Sequence, residues 1–196
     1  MKKILLTAVI LFLAGACGMP AAMETPPPTE TVIPKFTPVC ISDQPTAADV
    51  ERALAFTGSA FSASEWERSY TVYDRNRVSV TWLNSAQGAV AYLEALIFPC
   101  GYEEPDINNY FNEENWKTIF QQYGSYQPVN SCKTNDGLRL YQFTAQDQGN
   151  PYEIRFWARS DTDTRLLTLM LVFPASAPDL MDRYAGRLFP HLMSCN

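Results

Sequence analysis

Histidine is almost absent from this sequence: 196 residues contain one, His191. A hydrolase of the Ser-His-acid kind needs an imidazole beside its nucleophile and oriented by a carboxylate. His191 instead lies between Pro190 and Leu192, and no G-x-S-x-G motif occurs. No C-x-x-C motif occurs either, so the usual zinc-ligand spacings are missing. We therefore expect no metal site, no cofactor and no Ser-His catalysis.

Basic residues are also scarce, since 15 Lys and Arg stand against 21 Asp and Glu, for a formal net charge of −6. The sequence has no basic cluster and no charged tail. Nucleic-acid-binding proteins gain affinity from Lys and Arg on phosphates, and anionic lipid surfaces attract basic segments in the same way. The composition therefore indicates that nucleic acid is not a partner, and it argues against electrostatic docking to a membrane.

No apolar run in the sequence is long enough to span a bilayer, which takes about 20 residues. The longest, residues 4–13, follows Lys2 and Lys3 and leads into three small residues at 14–16. A basic head, a short apolar run and a small-residue exit are typical of a secretory signal. We therefore expect export from the cytoplasm.

Cys17 follows this run directly, in the stretch L-A-G-A-C-G. The stretch resembles the lipobox of bacterial lipoproteins, which reads Leu, two small residues, Cys; here Ala14 takes the leucine position and Leu13 precedes it. In that family the cysteine thiol is diacylglycerated, the signal is cleaved just before it, and the new amine is often acylated. The resemblance implies that residues 1–16 are a signal peptide and that Cys17 is the lipid attachment site. An ordinary signal peptide, leaving a free thiol, is the alternative.

Residues 17–39 consist of this cysteine and a segment with six prolines and several threonines. Pro-rich segments resist helix and sheet, and they stay extended and solvated. At about 3.1 Å per residue, residues 18–39 would reach about 70 Å when fully extended. We therefore expect a tether that lets a folded domain, residues 40–196, stand away from the lipid surface.

Four cysteines remain in that domain: Cys40, Cys100, Cys132 and Cys195. An even number in an exported domain indicates two disulfides, for which three pairings are possible. We favour Cys40 with Cys100 and Cys132 with Cys195, because the spacings of 60 and 63 residues are nearly equal. Each closing cysteine also follows a predicted helix end. A pairing of Cys40 with Cys195, which would tie the ends of the domain together, is the rival.

Apolar periodicity predicts an α+β fold for residues 40–196. Four helices are predicted, over residues 47–56, over 89–97 after a cap at Asn84, over 112–124, and up to 188 after a cap at Ser176. Five strands are predicted, at residues 70–73, 78–82, 138–145, 152–159 and 165–173. The short connections favour one antiparallel sheet of about five strands with about four helices packed on it.

The last predicted strand, residues 165–173, is apolar on both faces, so we place it at the centre of the sheet. The second half of the domain, a three-strand meander containing T-L-M-L-V-F-P and followed by a helix, loosely resembles the PsbP-type sandwich. That resemblance covers no diagnostic motif and implies a fold, not an activity.

Acidic residues form two clusters, one at Glu103, Glu104 and Asp106 and the other at Glu113 and Glu114. A pair of carboxylates facing one cleft can hydrolyse a glycosidic bond. Both clusters also lie beside predicted helix starts, where negative charge is favourable. They are therefore candidates for catalysis or for helix capping.

The predicted strand 152–159 places Trp157 on the same face as Glu153, Arg155 and Arg159. A tryptophan between two arginines on a polar face is suited to stacking on a sugar or docking a peptide. The alternative is a tryptophan packed beneath a helix with the arginine stems laid over it. We take Trp157, Arg155 and Arg159 as a candidate binding face.

These patterns predict a membrane-anchored lipoprotein on the outer side of a cell membrane, at the cell surface or in a periplasm. We expect a non-enzymatic binding or envelope-associated module, with the membrane as partner through the lipid and an envelope protein or a glycan as ligand. The alternative is an envelope hydrolase that uses paired carboxylates, and a third hypothesis is a purely structural envelope protein.

Overall fold

The computed structural model describes residues 40–195 of the chain. The predicted signal peptide, Cys17 and the predicted tether up to residue 39 lie outside these residues. Within them the helices are α1 (Ala47–Thr57), α2 (Glu104–Tyr110), α3 (Glu113–Ile119) and α4 (Pro178–Leu188). The strands are β1 (Glu67–Asp74), β2 (Arg77–Asn84), β3 (Ala89–Ile97), β4 (Ser125–Lys133), β5 (Arg139–Asp147), β6 (Asn150–Thr162) and β7 (Arg165–Pro174).

All seven strands form one antiparallel sheet in the order β1-β2-β3-β7-β6-β5-β4. The predicted α+β class is confirmed, with seven strands where about five were expected. Strand β7 is the middle strand, as its apolar sequence predicts, and its residues 166–173 are all buried. No helix of residues 40–195 is both long and apolar enough to cross a membrane.

Helices cover both faces of the sheet. On the first face, α1 and α4 pack through Val50, Ala53 and Met181 onto strand residues such as Val80 and Leu169. On the second face, α2 and α3 pack onto β5, β6 and β7 through a separate apolar cluster. Since the sheet residues alternate between the two clusters, each strand contributes one set of side chains to each layer.

The start of α1 is formed as its sequence predicts. Asp49 Oδ2 accepts hydrogen bonds from the backbone N–H and the hydroxyl of Thr46, both at 2.8 Å. The Asp49 carboxylate thus supplies the half of a capping box that runs from the third helical residue back to the N-cap. The other oxygen of Asp49 accepts from Arg165 Nε at 2.6 Å, so the buried carboxylate also joins α1 to β7. These hydrogen bonds, which outweigh the effect of burial, hold the pKa of Asp49 below its ordinary value.

The helix predicted over residues 89–97 is wrong, because these residues form β3. Asn84 Oδ1 does accept from Gln87 N at 3.1 Å, as a helix cap would, but the bond closes a turn. Gly88 follows with φ +62°, a left-handed conformation that reverses the chain into a hairpin. The stripe of Ala89, Val90, Leu93, Leu96 and Ile97 fits a helical period, but the pairing of β3 with β2 and β7 makes this segment a strand.

Two further elements were not predicted. Strand β4 contains Pro128 and is largely exposed, and it forms an edge of the sheet with a register shift between Pro128 and Asn130. Proline is tolerated at edges and bulges, so this strand lacks the apolar alternation of an inner one. Helix α2 begins after Glu103 and is seven residues long, too short for a clear apolar stripe. The final helix begins after Ala177, one residue beyond the predicted cap at Ser176.

Both disulfides that the spacing favours are present, Cys40–Cys100 and Cys132–Cys195. The first joins the start of the described chain to the turn after β3. The second joins β4 to the C-terminal segment, which we define as residues 189–195. This segment returns across the first face of the sheet after α4, and the disulfide holds its end there.

Candidate functional site

The candidate binding face on residues 152–159 lies beneath other parts of the protein. Trp157 is fully buried, with 0% of its surface exposed, and its Nε1 donates to Leu192 O at 2.9 Å. Its ring lies 5.0 Å from that of Phe189. The structure therefore corrects the platform interpretation, because the C-terminal segment covers Trp157 and makes it part of the core.

The two arginines of that face also have structural partners. Arg155 is buried and donates to Asp182 Oδ1 at 2.6 Å, to Glu153 Oε1 at 2.8 Å and to Met193 O at 2.8 Å. Arg159 lies with its guanidinium carbon 5.0 Å from the ring centre of Phe56 on α1. Both arginines thus attach neighbouring layers to β6.

The acidic clusters are engaged at helix starts and in ion pairs. Glu103 N donates to Asp106 Oδ2 at 2.8 Å in the cap of α2. Glu104 pairs with Lys133 and Arg139, and these two partners hold the pKa of Glu104 below its ordinary value. The first turn of α3 holds Glu113 and Glu114, and Glu113 pairs with Lys117 at 2.8 Å. These contacts fit the capping interpretation of both clusters.

The second face of the sheet contains a groove that the sequence did not predict as a site. Residues of α2 and α3, together with residues of β1, β2, β3, β6 and β7 that point to this face, line a groove of about 870 Å³. Small-ligand sites have volumes of this order. We call it the tyrosine groove. Its lining includes Tyr70, Arg77, Thr81, Gly88, Val90, Tyr92, Glu94, Tyr110, Asn115, Thr118, Ile119, Gln121, Gln122, Tyr123, Asp147, Tyr152, Phe156, Met170 and Val172.

Strand register builds the floor of the tyrosine groove. Tyr70 on β1 pairs with Thr81 on β2, which pairs with Tyr92 on β3 and then with Met170 on β7. Residues paired across adjacent strands share a face, so these four side chains form one row across the floor. The next row, two residues along each strand, contains Ser79 and Glu94. The β1–β3 part of this face is therefore rich in polar and aromatic side chains, whereas the β5–β7 part packs mainly apolar side chains against α2 and α3.

Glu94 is the most unusual residue of this floor, because only 6% of it is exposed. Its Oε1 lies 3.0 Å from the Tyr92 hydroxyl, 3.4 Å from Ser79 Oγ and 3.5 Å from Arg77 Nη1. Arg77 also pairs with Asp74 at 3.0 Å, on the solvent side. Burial raises the pKa of Glu94 above its ordinary value. Loss of hydration destabilises the carboxylate more than the charge of Arg77 and the hydrogen bonds from the two hydroxyls stabilise it. Burial and the nearby Glu94 raise the pKa of Tyr92 to about 12.

Thr81 lies in the same floor with an unpaired hydroxyl. Its side chain is 6% exposed, and its Oγ1 has no hydrogen-bond partner among residues 40–195. Among residues 40–195 it is the one buried side-chain nitrogen or oxygen atom without a hydrogen-bond partner. A buried hydroxyl without a partner costs about 1–3 kcal/mol. Native proteins satisfy nearly all such groups, so this buried hydroxyl in the lining of the groove lacks a partner that the described residues do not supply.

The wall of the tyrosine groove comes from the end of α2, from α3 and from the turn after it. Tyr110 ends α2, and burial raises the pKa of its hydroxyl to about 12. Asn115 Nδ2 donates to Tyr110 O at 2.7 Å, which joins the two short helices. Gln121, Gln122 and Tyr123 follow in the turn. The wall therefore presents amides and aromatic rings, which are neutral at physiological pH.

The sequence contained part of the signal for this site. In the predicted strand 78–82, Ser79 and Thr81 alternate with apolar residues, and the structure places both on the second face. The helix predicted over residues 89–97 includes Tyr92 and Glu94, so the sequence does not predict their pairing with Ser79 and Thr81. Alternation of Ala89, Ala91, Leu93 and Ala95 against Val90, Tyr92 and Glu94 is the pattern that indicates a strand here.

Residues 40–195 contain no group of three or more His, Cys, Asp or Glu side chains arranged to hold a metal ion. No protein-family model matches the chain, and no curated protein is significantly similar to it in sequence.

The raised pKa of Glu94 predicts a pH dependence of stability. The contribution of Glu94 is fully present below its ordinary pKa and is lost as the pH rises through the raised value, because the folded state binds the proton more tightly than the unfolded state. We expect the free energy of unfolding, measured by urea titration, to fall from pH 5 to pH 8 more in the wild type than in Glu94→Gln, by at most about 1.4 kcal/mol per pH unit.

The matched control for this prediction is Glu51→Gln, which changes an exposed carboxylate on α1. Its pH profile should follow the wild type. Parallel profiles for wild type and Glu94→Gln would show that the proton on Glu94 is not linked to folding.

Proposed function

We propose that this protein is a lipid-anchored lipoprotein on the outer side of a cell membrane, and that its domain binds a ligand in the tyrosine groove without transforming it. The observation that carries the binding half is the floor of the groove, where Thr81 has an unpaired buried hydroxyl. Support for the anchor comes from the lipobox-like stretch at Cys17. The two disulfides are compatible with an oxidising compartment.

The alternative of an envelope hydrolase depends on two carboxylates that approach one another. The lining of the tyrosine groove includes two, Glu94 and Asp147. Glu94 pairs through Thr168 and Ala158 with Arg139 on β5, and Asp147 lies eight residues further along that strand. At about 3.3 Å per residue, the two rows are about 26 Å apart. Glycosidases hold their carboxyl groups within about 10 Å, so the register favours binding over hydrolysis.

The anchor is tested by labelling with palmitate. We expect the label to enter the wild-type protein in its native host, to be absent from Cys17→Ser, and to be retained in Gly18→Ala, which keeps the thiol. Globomycin, which blocks the lipoprotein signal peptidase, should make the precursor accumulate. Because two or three acyl chains give stable anchoring, wild-type protein should sediment with membranes and Cys17→Ser should not.

Release of an unlabelled wild-type protein into the soluble fraction would contradict the anchor. It would favour an ordinary signal peptide. The proposal that the tyrosine groove binds a ligand would then be tested separately.

A further inference from the structure

We propose that the ligand of the tyrosine groove is a neutral saccharide chain. This inference deepens the proposed binding function and rests on it. Three properties of the groove carry it: the kind of polar groups it presents, the pairing of its charges, and the arrangement of its aromatic rings.

The polar lining consists mainly of hydroxyl and amide groups. Thr81 and Thr118 supply hydroxyls, and Asn115, Gln121 and Gln122 supply amides. Hydroxyl and amide groups both donate and accept hydrogen bonds, which matches the dual character of sugar hydroxyls. Thr81 Oγ1 is closed to water in the free protein; a sugar hydroxyl that reached it after the side chains around it shifted would give it a partner and remove the cost of leaving it unsatisfied.

The charges argue against an anionic or a cationic ligand. Arg77 is the cation of the lining, and it is already paired with Glu94 at 3.5 Å and Asp74 at 3.0 Å. An acidic ligand would therefore have to displace a carboxylate. Asp147 lies at the other end of the groove from Glu94, so the two carboxylates cannot surround one ammonium group. A neutral ligand leaves both charged groups with the contacts they have.

The aromatic rings are spread along the groove. Tyr70 and Tyr92 share the row of Thr81, Tyr110 is in the wall beside them, and Tyr123 and Tyr152 lie further along with ring centres 6.1 Å apart. The C–H faces of sugar rings pack on aromatic rings, and their hydroxyls point outward to polar groups at the sides. Rings set at intervals along a groove therefore fit several successive sugar units better than a single compact ligand.

The test titrates the lipidated full-length protein by calorimetry, in a zwitterionic detergent that has no sugar headgroup. The neutral probes are maltotriose, cellotriose and tri-N-acetylchitotriose. Trigalacturonate is the anionic probe and spermidine the cationic one. We expect saturable binding of at least one neutral trisaccharide and no binding of the two charged probes.

Two variants locate the binding in the groove. Tyr70→Ala removes a ring that is 50% exposed, and Thr81→Val removes the unpaired hydroxyl while keeping the shape of the side chain. Each should weaken binding of the neutral trisaccharide by about three- to tenfold, the equivalent of one hydrogen bond or stacking contact. The matched control is Tyr73→Ala, on the same strand and 54% exposed but facing the other side, which should leave affinity unchanged.

Stability separates a binding effect from an unfolding effect. Since the Thr81 hydroxyl has no partner in the free protein, Thr81→Val should keep or raise the urea midpoint while it lowers affinity.

The outcomes distinguish the inference from the proposed function. If none of the neutral trisaccharides binds at millimolar concentration, or if binding is unchanged in both groove variants, the saccharide inference is wrong. If trigalacturonate or spermidine binds instead, with an affinity that Tyr70→Ala lowers, the groove is a ligand site for another class and the proposed binding function stands. If no probe binds, the result counts against both, whereas the anchor is decided separately by palmitate labelling.

Discussion

Trp157→Ala is expected to lower the free energy of unfolding by about 3–5 kcal/mol, the range for truncating a large buried aromatic side chain. Trp157 has 0% exposure, its ring packs 5.0 Å from Phe189, and its N–H donates to Leu192 O. Truncation would leave a cavity between β6 and the C-terminal segment and a carbonyl without its donor. Urea unfolding followed by circular dichroism measures the loss.

Trp157→Phe divides this effect into its parts. Phenylalanine keeps an aromatic ring in the site but cannot donate to Leu192 O, so we expect a smaller loss, with about 1–3 kcal/mol from the unpaired carbonyl. The surface control is Tyr73→Ala, which should change stability by no more than about 0.5 kcal/mol. A loss this small for Trp157→Ala would show that Trp157 is exposed, and it would favour the binding face predicted from its position on strand 152–159.

The case of Trp157 shows what alternation along a strand can predict. Alternation correctly groups Trp157 with Arg155 and Glu153 on one face, because successive side chains point to opposite sides. It does not predict what covers that face. The cover is the C-terminal segment, whose Leu192 and Met193 carbonyls accept from Trp157 and Arg155 more than 30 positions away. Contacts of that range leave no periodic pattern in the sequence.

The fold was predictable where local patterns and global packing agree. The apolar run 165–173 predicts a strand buried on both faces, and β7 is the middle strand. The nearly equal cysteine spacings of 60 and 63 residues predict the pairing that the structure shows. At β3 the local signals conflict, since the Asn84 cap and the apolar spacing of Val90, Leu93 and Ile97 fit a helix, whereas pairing with two strands requires extended backbone. Tertiary contacts override such propensities.

The same conflict concealed the candidate site. Ser79 and Thr81 were recognised as the polar side of a strand, but the site exists only when β3 lies beside them and brings Tyr92 and Glu94 into register. Because β3 is predicted as a helix, the sequence does not predict the part of the groove floor that β3 supplies. The wall adds a second difficulty, because α2 and α3 are short helices whose position depends on aromatic packing across β5 and β6.

Removal of the Cys132–Cys195 disulfide is expected to have the second large effect. Alanine at both positions should cost about 4 kcal/mol, the chain-entropy value for a closed loop of this length. Alanine at Cys40 and Cys100 is the matched control, because that loop of 60 residues is nearly the same length as the loop of 63. The two pairs should therefore destabilise the protein by similar amounts when measured by urea unfolding.

The two disulfides should differ in their coupling to Trp157. Cys132–Cys195 holds the segment whose Leu192 carbonyl covers Trp157, whereas Cys40–Cys100 joins residues outside that segment. In the Cys132/Cys195 alanine background we expect Trp157→Ala to lower the free energy of unfolding less than it does in the wild type, by about 0.5–3 kcal/mol. The reason is that both changes disturb the same C-terminal segment, and the effects of such coupled substitutions do not add. In the Cys40/Cys100 background its cost should simply add. Equal costs of Trp157→Ala in all three backgrounds would show that the disulfide does not hold the cover in place.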